Sequence, residues 1–204
     1  MHASGAGSWT IREDASRQIL LALYLRDALA IETPLGLPRL RDVRAGEGLV
    51  LTPEEQEELD AQWERWWLTA IEPERHPSLV PLELVEEFGF DIALPIGGAE
   101  LLRRAIVPFA AAAEEWTRTT HEQFSSRATE PHGSQYLAYA GLVAEHERTT
   151  GRRAHAFELN VEVLPLAERG AWWIGNSTVA VTDSLRNDAT AYATALRPII
   201  SEIA

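Results

Sequence analysis

Apolar positions recur along most of this chain with a helical period, and only towards its C-terminal third do they switch to strict alternation. Ile11, Ala15, Ile19 and Leu23 fall every four residues, which predicts a helix over 10–31. Leu20, Leu21 and Leu25 fill its other faces, so this helix is expected deep in the core. The segment 33–48 mixes prolines, glycines and arginines without a period. It is expected to be a long loop and is the best candidate for a linker.

The next helix has the clearest local grammar. Thr52, Pro53 and Glu55 supply an N-cap, a first-turn proline and a capping-box acid. Leu59, Trp63, Trp66, Trp67 and Ala70 then share one face, and Pro73 and Pro77 close the element. Residues 78–97 are apolar but broken by Pro81, Gly89 and Pro95. A short helix is expected over 82–88, with Gly89 as its left-handed terminator. A longer helix over 99–126 should break or kink at Pro108, which removes a hydrogen bond and crowds the preceding turn. Another helix is expected over 132–150, stopping at Gly151.

From Arg153 the period becomes two. Phe157, Leu159, Val161 and Val163 alternate with Glu158, Asn160 and Glu162, which predicts a strand with one buried and one wet face. Residues 165–170 read as a turn and 171–181 as the returning strand, with Gly175-Asn176 as a bulge or a second tight turn. Thr182 or Asp183 then caps a last helix carrying Leu185, Tyr192, Leu196 and Ile199. The fold class this predicts is α+β and predominantly helical, with about five helices, a C-terminal antiparallel β-hairpin or small meander, and a final helix. One globular domain is expected over 1–204, with residues 1–8 disordered.

Composition narrows the chemistry. There is no cysteine, which removes disulfides, thiolate metal sites and cysteine nucleophiles. All 18 basic residues are arginine, a bias expected of a GC-rich bacterial genome, so lysine-based catalysis is absent too. The formal charge of −13 would repel a phosphate backbone, and no nucleic-acid partner is expected. The longest apolar run, Ile19 to Leu25, is far short of the roughly 20 residues a membrane span needs. Glu13 and Asp14 spoil a signal-peptide reading, so a cytoplasmic location is expected.

Two sets of side chains are candidates for function. Of the seven tryptophans, Trp66 and Trp67 lie on a core-like stripe, whereas adjacent strand positions send Trp172 and Trp173 to opposite faces. An aromatic left exposed there would favour a contact surface. The polar alternative is His121, His132 and His146 with Glu145. His132 and His146 lie fourteen residues apart, about 21 Å along a helix, too far to share an ion. No metal or other cofactor is expected. The first functional reading is a non-enzymatic interaction subunit or adaptor, binding a protein partner or itself as a homodimer through Trp172 and Trp173. The second is a small hydrolase or ligand-binding protein with a histidine–carboxylate site in a helical cleft.

Overall fold

The structure is a computed structural model that describes residues 8–33, 36–46, 50–89, 91–127 and 132–204; for residues 127 and 132–137 only the backbone is described. The expected disorder of residues 1–8 therefore falls, except for Ser8, outside the described residues. The chain forms two compact units, one of residues 15–123 and one of residues 1–14 with 124–204. Among the described residues no helix is long and apolar enough to cross a membrane. The α+β class holds, but the strand layout differs from expectation.

In the unit of residues 15–123, α1 (Arg17–Ala28) is buried almost all round, from Ile19 to Ala28, with Tyr24 only partly covered. Against it packs α2 (Pro53–Ile71), which starts with the expected capping box between Thr52 and Glu55. Its tryptophans serve the core. Trp63 donates its indole N–H to the Ala22 carbonyl of α1 (3.0 Å) and stacks on Trp67. Residues 37–40 are tied to α1 and its C-terminal end. Buried Arg26 donates to the carbonyls of Leu37 and Pro38, while Arg39 donates back to those of Arg26 and Ile31. Asp27 accepts from both arginines and from the Leu40 N–H.

Residues 82–88 do not form the expected helix. They supply β2 (Leu82–Leu84) and a 3-10 turn (Glu86–Phe88), and β2 pairs antiparallel with β3 (Ala93–Pro95). Gly89 ends the turn at φ +56 and ψ −114, a positive-φ backbone that favours glycine but not the left-handed helical cap expected. Next, α3 (Glu100–Ile106) passes through a 3-10 turn at Val107–Phe109 into α4 (Ala110–Arg127), so Pro108 breaks the long helix where its missing N–H requires. On α4 the Thr117 hydroxyl is buried with no hydrogen-bond partner among the described residues. Thr117→Val, which replaces that hydroxyl by a methyl of equal size, is expected to stabilise the protein by about 1 kcal/mol in urea melts. A loss of stability would show that the hydroxyl is satisfied.

In the other unit the sheet order is β1-β4-β6-β5. Its first strand, β1 (Thr10–Asp14), occupies residues expected to open the first helix. It pairs in parallel with β4 (Glu158–Leu164), Ile11 against Leu159 and Glu13 against Val161. On its other side β4 pairs in parallel with β6 (Thr178–Thr182). The hairpin is instead β5 (Ala171–Trp173) with β6, and residues 175–177 make its turn. Because β4 is central, its expected wet face is only partly wet: Glu158 is exposed but Glu162 is buried. Helices α5 (His132–Thr150) and α7 (Ala189–Ile203) pack together and cover one sheet face through Leu142, Val143, Leu196 and Ile200. Gly151 ends α5 at φ +67, and short α6 (Asp183–Arg186) joins β6 to α7, whose N-cap is Asp188.

Candidate functional site

The side chains singled out from the sequence occupy several different settings. Trp66 and Trp67 are buried in the core of the unit of residues 15–123. Trp172 and Trp173 are both half-buried. Trp173 packs on the core between the sheet and its helices. Trp172 folds over Gly170 so closely that a Cβ there would come within 2.7 Å of its ring, which is why that position takes glycine. Neither tryptophan stands free as a large exposed aromatic. His121 brings Nδ1 to 2.8 Å from the Ala15 carbonyl oxygen, an arrangement that calls for the proton on Nδ1. Glu145, on α5, accepts from Arg197 of α7 at 3.2 Å, and His146 follows it on the same helix. The His132 side chain lies outside the described residues. Among the described residues no group of three histidine, aspartate or glutamate side chains could hold a metal ion.

A polar cluster that the sequence did not reveal lies between β1 and the helices of its unit. Alternation along β1 turns Ile11 and Glu13 to the same side, and the Glu13 carboxylate is almost fully enclosed. One oxygen accepts from Arg186 Nε on α6 at 2.7 Å. The other accepts from the Tyr139 hydroxyl of α5 at 2.6 Å, and that hydroxyl lies 2.6 Å from the hydroxyl of Tyr192 on α7. Each phenol has one proton, so the tightest assignment runs from Tyr192 to Tyr139 to Glu13. The Arg186 guanidinium also lies over the Tyr192 ring, 5.0 Å from its centroid.

Burial, reinforced by neighbouring negative charge, pushes both phenols well above their ordinary value, so they stay protonated as donors. Burial alone would lower Arg186, but the Glu13 carboxylate more than offsets this and holds the guanidinium in its charged form. A nucleophile or general base needs a free lone pair or a labile proton, whereas these groups are spent on one another. The cluster pins β1 to α5, α6 and α7.

A different surface is left open. In the β2–β3 ribbon, Glu83 pairs with Leu94, Val85 donates to Ile92 and Ile96 donates to the Pro81 carbonyl. Side chains directly opposite share a face. Val85, Ile92 and Leu94 are therefore on one face, and all three are buried. Leu82 and Leu84 fall on the other, opposite Pro95 and Ala93, and they are 46% and 43% exposed. Leu79, at 99%, and Val80 extend the exposed apolar surface at the strand's entry. The covered face is buried at Val85, Ile92 and Leu94 with Glu83 at its margin, whereas the open face carries leucines where an antiparallel pair usually turns polar residues outward.

The segment that forms this ribbon is itself acidic, and Arg103 of α3 and Arg17 of α1 reach it from elsewhere in the chain. Residues 77–99 carry Glu83, Glu86, Glu87 and Asp91 and no arginine or histidine. Glu83 is paired with Arg103 at 3.4 Å and Asp91 with Arg17 at 2.6 Å. Glu86 and Glu87, just beyond Leu84, are exposed and form no ion pair among the described residues. The face is hidden in the sequence because Leu84, Val85 and Phe88 also satisfy a helical pattern. The available signal was the two-residue spacing of Val80, Leu82 and Leu84 between prolines. No protein-family model, curated protein or solved structure matches this chain.

Proposed function

We propose that this protein is a non-catalytic, cytoplasmic binding subunit that docks a protein partner on the open leucine face of β2–β3. The observation that carries the reading is the pair Leu82 and Leu84, side by side on a strand and each nearly half exposed. Contiguous exposed apolar surface of this kind lowers solubility unless something covers it, and it marks interaction sites in soluble proteins. Two further features support a binding role. The Glu13 cluster is saturated, and the net charge of −13 suits a protein partner better than a nucleic acid. The interaction is placed here rather than at Trp172 and Trp173, because those rings are half-buried against their own unit.

Comparative capture tests the reading. Wild-type protein and the Leu82→Ser, Leu84→Ser double variant are used as bait in extracts of the source cells, and the bound proteins are quantified by mass spectrometry. Losing two apolar anchors should weaken a specific partner by about 10- to 100-fold. The half-exposed sites should cost the fold no more than about 1 kcal/mol. A partner retained equally by both baits would place docking elsewhere.

A further inference from the structure

The shape and charge of the leucine face select its occupant. We propose that the partner presents an amphipathic α-helix whose apolar stripe is flanked by arginine or lysine, laid across Leu82 and Leu84 beside Glu86 and Glu87. This rests on the reading of the face as a docking surface.

The ribbon's edges favour a helix over an added strand. An added strand needs a row of outward N–H and C=O groups. In this register residues 81, 83 and 85 turn their backbones towards β3, which leaves only Leu82 and Leu84 to face outward on β2. The Leu84 carbonyl already accepts from Arg103, at 3.4 Å. On the opposite edge Pro95 has no N–H to offer. Both edges are thus short and blunted, while the side-chain face is open. A helix satisfies its own backbone and needs only side-chain contact. Three strand residues span about 10 Å, close to the diameter of one helix with its side chains.

Electrostatics favours basic flanks on that helix. Glu86 and Glu87 are exposed at the C-terminal end of β2 with no ion pair among the described residues, whereas the Arg103 guanidinium that meets the ribbon is already paired with Glu83. A second copy of this chain would set two such glutamate pairs together, each chain carrying −13, so like-charge repulsion disfavours a homodimer through this face. An anionic lipid surface is repelled for the same reason.

Synthetic helices test both parts. The probe is a peptide of roughly 18 residues, long enough to hold a helix, with leucines at i, i+3, i+4 and i+7 and arginines flanking them. Its twin carries glutamates in place of the arginines. Binding to the full chain is followed by fluorescence anisotropy. The arginine helix should bind at least about tenfold more tightly than its twin. It should lose about tenfold with Leu82→Ser plus Leu84→Ser, and a smaller factor with Glu86→Gln plus Glu87→Gln, whose exposed side chains leave the fold intact. Equal binding of both helices through the leucines would overturn the basic flank and leave the docking face standing. Arginine-helix binding indifferent to the leucine substitutions would overturn both. Failure of either helix to bind, with the captured partner still lost on the leucine substitutions, would overturn the helical occupant alone.

Discussion

Asp27→Ala should destabilise the unit of residues 15–123 by about 3–5 kcal/mol, enough to consume much of a small unit's stability. Asp27 and Arg26 are adjacent on α1 and buried, at 4% and 2% exposure. The carboxylate takes Arg26 Nε at 2.7 Å, Arg39 Nη1 at 3.1 Å and the Leu40 N–H. Without it, Arg26 keeps its charge in a dry setting with only the Leu37 and Pro38 carbonyls as partners. That residual buried charge dominates the cost, because Arg39 is 45% exposed and its share is screened. The same change releases residues 37–40 from α1, so proteolysis should speed up there first. Arg26→Met combined with Asp27→Leu should recover part of the loss, since an apolar pair leaves no stranded charge. The shortfall would then measure the lost anchoring of the Leu37 and Pro38 carbonyls. A loss below about 1 kcal/mol for Asp27→Ala in urea denaturation would mean the arginines find other partners.

Raising the pH above 10 should unfold the other unit steeply. Tyr139 and Tyr192 are each 6% exposed, and burial holds both phenols above the ordinary value of 10.0. Between pH 10 and those raised values the unfolded chain gives up both protons and the folded chain keeps them. Stability is therefore fully present below pH 10 and falls as the pH rises. Each phenol contributes about 1.4 kcal/mol per pH unit, so the pair lowers stability by about 2.7 kcal/mol per unit. The phenolate absorbance of these two rings should appear together with loss of circular dichroism rather than before it. Tyr139→Phe with Tyr192→Phe removes the linkage and should flatten the alkaline slope, although it also deprives Glu13 of a donor. Phenolate forming near pH 10 in a protein that remains folded would show that the cluster opens to solvent.

What could be read from the sequence was what short-range physics determines. Thr52, Pro53 and Glu55 fix the start of α2 because a capping box involves only neighbouring residues. Pro108, Gly89 and Gly151 act through their own backbones and mark real breaks. What escaped depends on distant partners. β1 is five residues long and pairs with residues 158–162, so nothing local separates it from a helical start. The turn at 165–170 suggested a hairpin of β4 with the following strand. The sheet instead places β6 between them, so β4 gains a parallel neighbour and a second buried face. The surface that the proposed function uses was hidden by the same ambiguity. Leu84, Val85 and Phe88 suit one side of a helix, and only the pairing with Ala93–Pro95 turns Leu82 and Leu84 outward together. The Glu13 cluster joins residues 13, 139, 186 and 192, a convergence that no spacing announces.

The most direct test of the leucine face as a docking surface is photo-crosslinking inside the source cells. A benzophenone amino acid is placed at Leu84 and, in a separate strain, at exposed Glu158 on β4. Position 84 should give a discrete, heavier adduct containing one partner polypeptide, and position 158 none. No adduct from position 84, or the same adducts from both positions, would contradict docking on this face.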